Sequence, residues 1–180
     1  KTLYGYDFRK RLPALAELIG SSQYHLAKTW WAGGHEEKAD QGGYPTTESY
    51  LEAWHEVTGT VLTLEVWRES RMAAMTKSDS AVAALKRASE LGAVSLLSNN
   101  NVLFRDFLPI VAPEVAEILK ENNLVSADLG ATKPDPRIFE LAIAQLDLDL
   151  RARRGAHVHG RARRDAGVQR RRSNARSEER

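Results

Sequence analysis

Cysteine is absent from all 180 residues, which excludes disulfide frameworks, cysteine nucleophiles and thiolate metal sites together. The same absence fits a reducing compartment, and a cytoplasmic location is the expectation. No apolar run approaches the length of a membrane span, so neither a spanning helix nor a membrane partner is expected. The opening "KTLYGYDFRKRL" lacks the apolar centre of a signal peptide. An initiating methionine is lacking as well, and we expect the chain to begin inside a longer protein.

What is present is a globular composition, 42% hydrophobic and 28% charged, suited to one soluble domain or a domain with a small insert. The net charge of +2 conceals an asymmetry: residues 151–180 hold eleven arginines against three acids, and the first 150 residues are net acidic. Those last thirty residues have almost no large apolar side chains and cannot bury enough surface to order themselves. Their Arg/Ala/Gly bias also fits out-of-frame translation of a GC-rich gene, a hypothesis that fails if no frame of the coding DNA yields an apolar strand ending in acids.

Residues 1–75 read as mainly helical. "DFRKRLPALAELIG" places Leu12, Leu15, Leu18 and Ile19 at helical spacing with Gly20 as its stop. The glycine pairs at 33–34 and 42–43 mark loops, Thr46 or Thr47 caps a helix carrying Tyr50, Leu51 and Trp54, and a further helix covers Leu62–Met75. All four tryptophans (30, 31, 54 and 67) fall here and read as the core of a small bundle rather than a ligand box. "GGHEEKAD" gathers His35, Glu36, Glu37 and Asp40, but without the two-histidine spacing of a zinc helix it reads as a solvated loop.

From residue 76 to 150 the pattern is α/β. "SDSAVAALKRASELG" is an amphipathic helix with Val82, Leu85, Ala88 and Leu91 on one stripe. "AVSLL" follows as a buried parallel strand, then a helix from Pro113 to about Asn122, a second strand near "LVSADLG", and "PDPRIFELAIAQL". That last helix has Asp135 as N-cap and Phe139, Ala142, Ile143 and Leu146 inward. This order implies a parallel sheet with a helical insertion ahead of it.

Ligands of open parallel sheets bind beyond the carboxyl ends of the strands. Ser98 stands there after "AVSLL" with Asn99 beside it, and Lys133 stands at the next strand-to-helix junction, in "GATKPDPRIF". A hydroxyl, an ammonium and amide donors on one edge suit a phosphate or carboxylate, although each turn taken alone is common.

"LLSNNN", followed thirty-five residues after Ser98 by "LGATKPDPRIFELAI", resembles the second and third motifs of the haloacid-dehalogenase-like (HAD) hydrolases. The resemblance is specific over about 76–147 and looser over 8–75, where "GGYPTTESYLEAW" is similar to a segment of the family's helical cap. It implies an α/β fold, a Rossmann-like parallel core with an inserted helical cap. The implied activity is phosphate-ester hydrolysis through an aspartate nucleophile, with Mg²⁺ as cofactor and a small phosphorylated molecule as substrate. Ser98 would hold a phosphoryl oxygen and Lys133 neutralise its charge, with Asn99 as a neighbour.

The sequence departs from that family twice. No apolar strand ends in Asp-x-Asp: Asp7 is the only early aspartate, no acid follows it two residues on, and it reads as a residue at the entry to the cap rather than a nucleophile. The region where magnesium-binding acids are expected reads "GAHVHGRARR", whose His157 and His159 are discounted as ligands. The chain is therefore expected to be an inactive piece of a phosphatase-type hydrolase. The alternatives are a haloacid dehalogenase, which needs no metal, and a non-catalytic binding module whose basic tail adheres to nucleic acid. In that tail no aromatic residue interleaves the arginines, so adhesion would be unspecific and salt-sensitive.

Overall fold

Helix signals in the first half of the chain translate directly into structure. In the computed structural model, which describes residues 2–146, Asp7 accepts a hydrogen bond from the Arg9 amide and starts α1 (Phe8–Ile19). Gly20 ends it in the left-handed region, as a glycine stop does. Ser22 caps α2 (Gln23–Leu26), which runs into a π-helical turn, Ala27–Trp31. Thr46 forms a reciprocal capping box with Ser49 at the start of α4 (Thr47–Thr58), and Thr63 caps α5 (Leu64–Ala74).

One expectation fails in this region. "HEEKAD" is not a loop but a short helix, α3 (His35–Asp40). Charge alone suggested a solvated run, yet Ala39 is fully buried and Glu36 is turned inward. The loop after α3 makes a close approach: Gly42 has φ +84°, and a Cβ there would lie 2.4 Å from the Ala127 carbonyl oxygen. Only glycine fits both conditions.

The helices enclose an aromatic core. Trp30, Trp54 and Trp67 are 0% exposed. Trp30 lies 4.8 Å from Trp54 and 5.0 Å from Tyr50 between ring centroids, and His35 stacks on it at 5.3 Å. The tryptophans are thus core residues, as read, except for the half-buried Trp31.

Two short sheets frame the rest. β1 (Tyr4–Tyr6) pairs antiparallel with β2 (Met75–Lys77), placing Tyr6 opposite Met75. β3 (Leu96–Ser98) pairs in parallel with β4 (Asn123–Val125). Between them lie α6 (Asp79–Leu91), α7 (Val102–Val111) and α8 (Pro113–Leu119), and α9 (Ser126–Leu129) follows β4. The parallel pairing matches expectation; the described residues hold two such strands rather than a full sheet.

Several details of the α/β reading need correction. β3 is only half-buried, and no residue of α6 is buried; Leu91 is 92% exposed. α7 was not anticipated, because "SNNN" resembles a loop and Pro109 lies inside the helix. Its Val102, Leu103 and Leu108 nevertheless join the main core. In the last helical stretch, residues 137–146, Ile138 and Ala142 are buried while Phe139 and Ile143 are exposed. The inward stripe therefore sits one residue earlier than read, in the usual i, i+4 relation.

The chain divides into two compact units, Lys1–Ile138 and Phe139–Arg180, the second being helical through its described residues 139–146. No helix among the described residues is long and apolar enough to cross a membrane. The basic tail at 151–180, with His157 and His159, lies outside the described residues.

Candidate functional site

β3 and β4 end in register, with Ser98 opposite Val125, so the chain leaves both strands at one edge. There the three asparagines of "SNNN" each have a separate task. Asn101 caps α7 by accepting from the Phe104 amide. The Asn99 side chain donates to the Lys133 carbonyl at 2.8 Å and accepts from the Lys133 amide at 2.9 Å. That reciprocal pair does what a neighbouring strand would do, and it fixes the Thr132–Pro134 turn beside Ser98. The Lys133–Pro134 peptide is cis.

Asn100 sets the chemistry of Ser98. Its Oδ1 accepts from Arg71 Nη2 at 2.5 Å and its Nδ2 donates to Ser98 Oγ at 2.5 Å. Arginine can only donate, so the Asn100 amide has one allowed orientation. Ser98 Oγ is therefore used as an acceptor, and its proton remains available for an incoming oxygen. Ser126, at the start of α9, holds the Asn100 backbone, accepting from its amide at 3.0 Å and donating to its carbonyl at 3.2 Å. Lys133 Nζ donates to the Leu97 carbonyl at 2.6 Å, which places the ammonium over the end of β3.

Ser98, Asn99, Asn100 and Lys133 line a cavity of 520 Å³ from the sheet edge. Arg11, Glu36, Asp40 and Arg71 line the same cavity from the helices. Asp7 does not line it; its carboxylate is occupied by Arg9, whose hydrogen bonds hold it below the usual carboxylate range. That is the geometry of a helix-opening residue.

The four charges on the helical side form a network that sequence reasoning missed. Arg11 is 2% exposed and Arg71 7%. Arg11 Nη1 donates to Tyr6 Oη at 3.0 Å and reaches Glu36 Oε1 at 3.5 Å. Glu36 also accepts from Trp30 Nε1 at 2.7 Å and Tyr50 Oη at 3.0 Å. Burial opposes the charge on Arg11, but Tyr6 and Glu36 outweigh it and keep the guanidinium protonated. Arg71 is pushed down to about 10 by burial and by Arg11. Asp40 is pushed up to about 7, chiefly by burial and then by Glu36.

A signal for this network was present in the spacing. Arg11 shares a helical face with Leu15, and Arg71 lies four residues after Trp67, so both arginines sit where the stripe should be apolar. An arginine on a core face is far less common than one in solvent.

Magnesium is poorly matched by these residues. No group of three or more His, Asp or Glu side chains able to hold a metal ion occurs among the described residues. Of the two acids on the cavity, Glu36 is already bonded to three donors and Asp40, pushed up to about 7, is only partly ionised near neutral pH. Hard divalent ions need several free anionic or carbonyl oxygens, and these residues do not supply them.

Comparison with known proteins gives a fold-level likeness. No protein-family model matches the sequence, and no curated protein sequence does. Among solved structures, the HAD family enzyme BT-2542 of Bacteroides thetaiotaomicron in a magnesium complex superposes with a TM-score of 0.60 at 17% identity, covering 81% of this chain and 73% of that one. The same enzyme with magnesium and inorganic phosphate gives 0.59 at 16%, covering 81% and 74%. An aspartate-to-alanine variant of it, again with magnesium and inorganic phosphate, gives 0.60 at 16%, covering 81% and 73%. The chain therefore carries the fold of HAD-like hydrolases.

Proposed function

We propose that this chain binds the phosphoryl group of a small phosphate ester at the edge formed by Ser98, Asn99 and Lys133, and is the phosphate-holding part of a HAD-type phosphohydrolase. In this reading residues 8–74 are the helical cap and β3 and β4 belong to a Rossmann-like core. The observation that carries the proposal is the convergence of a free hydroxyl proton on Ser98 and the Lys133 ammonium at one strand edge, on a cavity of 520 Å³. Asn99 acts through the turn it clamps and is a positioning residue rather than a phosphate ligand.

An incoming phosphate oxygen would accept from Ser98 Oγ and draw Lys133 Nζ away from the Leu97 carbonyl. An ammonium–phosphate ion pair replaces an ammonium–carbonyl bond in that exchange, which favours the anion. Cleavage needs an attacking carboxylate and a proton donor for the leaving group. The sheet edge supplies neither, and Asp7 is elsewhere. The phosphate complex of the superposed enzyme is consistent with a phosphorylated ligand, although it belongs to that protein.

Isothermal titration calorimetry with inorganic phosphate tests the reading. Binding is expected in the unaltered chain and about tenfold or more weakening in Lys133→Ala, the scale of one lost charge-assisted bond. Phosphate affinity that Lys133→Ala and Ser98→Ala both leave unchanged would remove the cradle. With para-nitrophenyl phosphate and Mg²⁺ no turnover is expected; turnover abolished by Asp7→Asn would restore Asp7 as a nucleophile.

A further inference from the structure

Two groups can claim Arg71. Its Nη2 donates to Asn100 Oδ1 at 2.5 Å, and it lines the same cavity as Asp40, whose charge acts on it. Its Nε–H is buried and has no hydrogen-bond partner. One donor of a buried cation is therefore unspent, on a cavity that a carboxyl group also lines, and an unmet donor of that kind is costly.

Asp40 is the group whose claim can change. Burial and then Glu36 favour its neutral form, Arg71 and Arg11 oppose them, and Glu37 adds to the neutral side. Arg71 is the larger of the two cationic influences. Around them, Tyr50 is held protonated by burial and Glu36. On α9, Asp128 is engaged by Arg105, and Lys28 of the π-helical turn lies over the Tyr24 ring.

The two forms of Asp40 have different consequences at the sheet edge. Beside a neutral carboxyl, Arg71 serves Asn100, whose Nδ2 then donates to Ser98 Oγ at 2.5 Å. Beside a carboxylate, Arg71 can exchange a bond to a neutral amide for one to an anion, which is the stronger. Asn100 Oδ1 then loses its donor, and half a turn of the amide brings that oxygen to Ser98. The Ser98 hydroxyl becomes the donor of that pair, and its proton is spent.

We propose that Asp40 is a positioning residue for Ser98, acting through Arg71 and Asn100: its neutral form leaves the Ser98 proton free for an anion, and its carboxylate withdraws that proton. The phosphate site thereby weakens as pH rises. The proposal rests on the phosphate reading above for its ligand, whereas the relay of side chains operates without one.

Isothermal titration calorimetry with inorganic phosphate at pH 6 and pH 8.5 tests it in the unaltered chain and in Asp40→Asn. The ligand's own protonation is common to both chains and cancels between them. The affinity ratio, pH 6 over pH 8.5, is expected to be about three- to tenfold larger in the unaltered chain, the scale of one hydrogen bond. Equal ratios overturn the proposal. Ser98→Ala separates the relay from plain repulsion between a carboxylate and phosphate. The relay needs the Ser98 proton, so this variant should match the ratio of Asp40→Asn; a ratio like that of the unaltered chain would assign the effect to repulsion and overturn the relay.

Nuclear magnetic resonance of the Asn100 side-chain amide in phosphate-free buffer distinguishes the two levels. Its signals are expected to shift with a midpoint near pH 7, following Asp40, and to stay fixed in Asp40→Asn. That outcome without any phosphate binding would retain the relay and remove the cradle. Fixed signals in the unaltered chain, with phosphate binding that Lys133→Ala weakens, remove the relay alone.

Discussion

The helical region, residues 8–74, and the α/β segment that follows it are built to different standards. In the first, three tryptophans are fully buried and even the charged residues Arg11 and Arg71 lie inside. In the second, the strands are three residues long, β3 is half-buried and α6 has no fully buried residue, only the half-buried Val82 and Leu85 against the core. Ser98 and Lys133 stand on the less enclosed part, whereas Arg11 and Arg71 are anchored in the well-packed part. The two sides of the cavity are thereby set in different surroundings, buried guanidinium groups on one and exposed polar side chains on the other.

Mutation can test that contrast. Trp54→Ala should have the largest effect, about 3–5 kcal/mol of lost stability in a urea melt, as for other large core truncations; less than about 1 kcal/mol would mean that the aromatic cluster does not hold the region together. Glu36→Ala should follow at about 3 kcal/mol, because it strips Arg11 of its buried carboxylate partner, with Glu36→Gln milder.

Asp40→Asn should act with the opposite sign. The folded-state pKa of Asp40 is about 7, above the unfolded value of about 4. The native state therefore holds a proton that the unfolded state releases between those limits. Stability falls as pH rises from about 4 to about 7 and is level above. The variant should flatten that slope and gain about 1–2 kcal/mol at pH 8, the partial exposure of Asp40 limiting the gain. Chemical melts at pH 5 and pH 8 measure it; an unchanged slope would reassign the titration. Leu91→Ala should change stability by less than about 0.5 kcal/mol, because the side chain is 92% exposed. A larger loss would show α6 to be packed more firmly than its exposure implies.

Local chemistry made much of the helical region legible. Asp7, Gly20 and Thr46 announce helix ends because capping acts over a few residues, and the structure uses all three. Ser98 and Lys133 could be placed on a common edge because parallel strands expose their carboxyl ends together. Asn100 was not distinguishable from its neighbours, since its role depends on Arg71, twenty-nine residues away. α3 was obscured because Glu36 looks solvated in sequence and finds its partners Trp30 and Tyr50 only after folding. α7 was obscured by Pro109, a local rule that core packing of Leu103 and Leu108 overrides. Pairing partners distant in sequence, rather than propensity, account for what could not be read.

The antiparallel pair β1–β2 makes the helical region a closed excursion from the chain. The path departs after Tyr6 and returns at Met75, its direct partner, and the Asp7 amide donates to the Ala74 carbonyl at 3.0 Å just beyond. An Asn-Gly turn joining Tyr6 to Met75 is the natural two-residue bridge for such a pair, and it would delete everything between them without shifting the register of what remains. In connectivity the helical insert is a cassette with a single covalent seam, while its packing is continuous with Leu103 and Leu108 of α7, so an exchanged insert would have to supply the same apolar face.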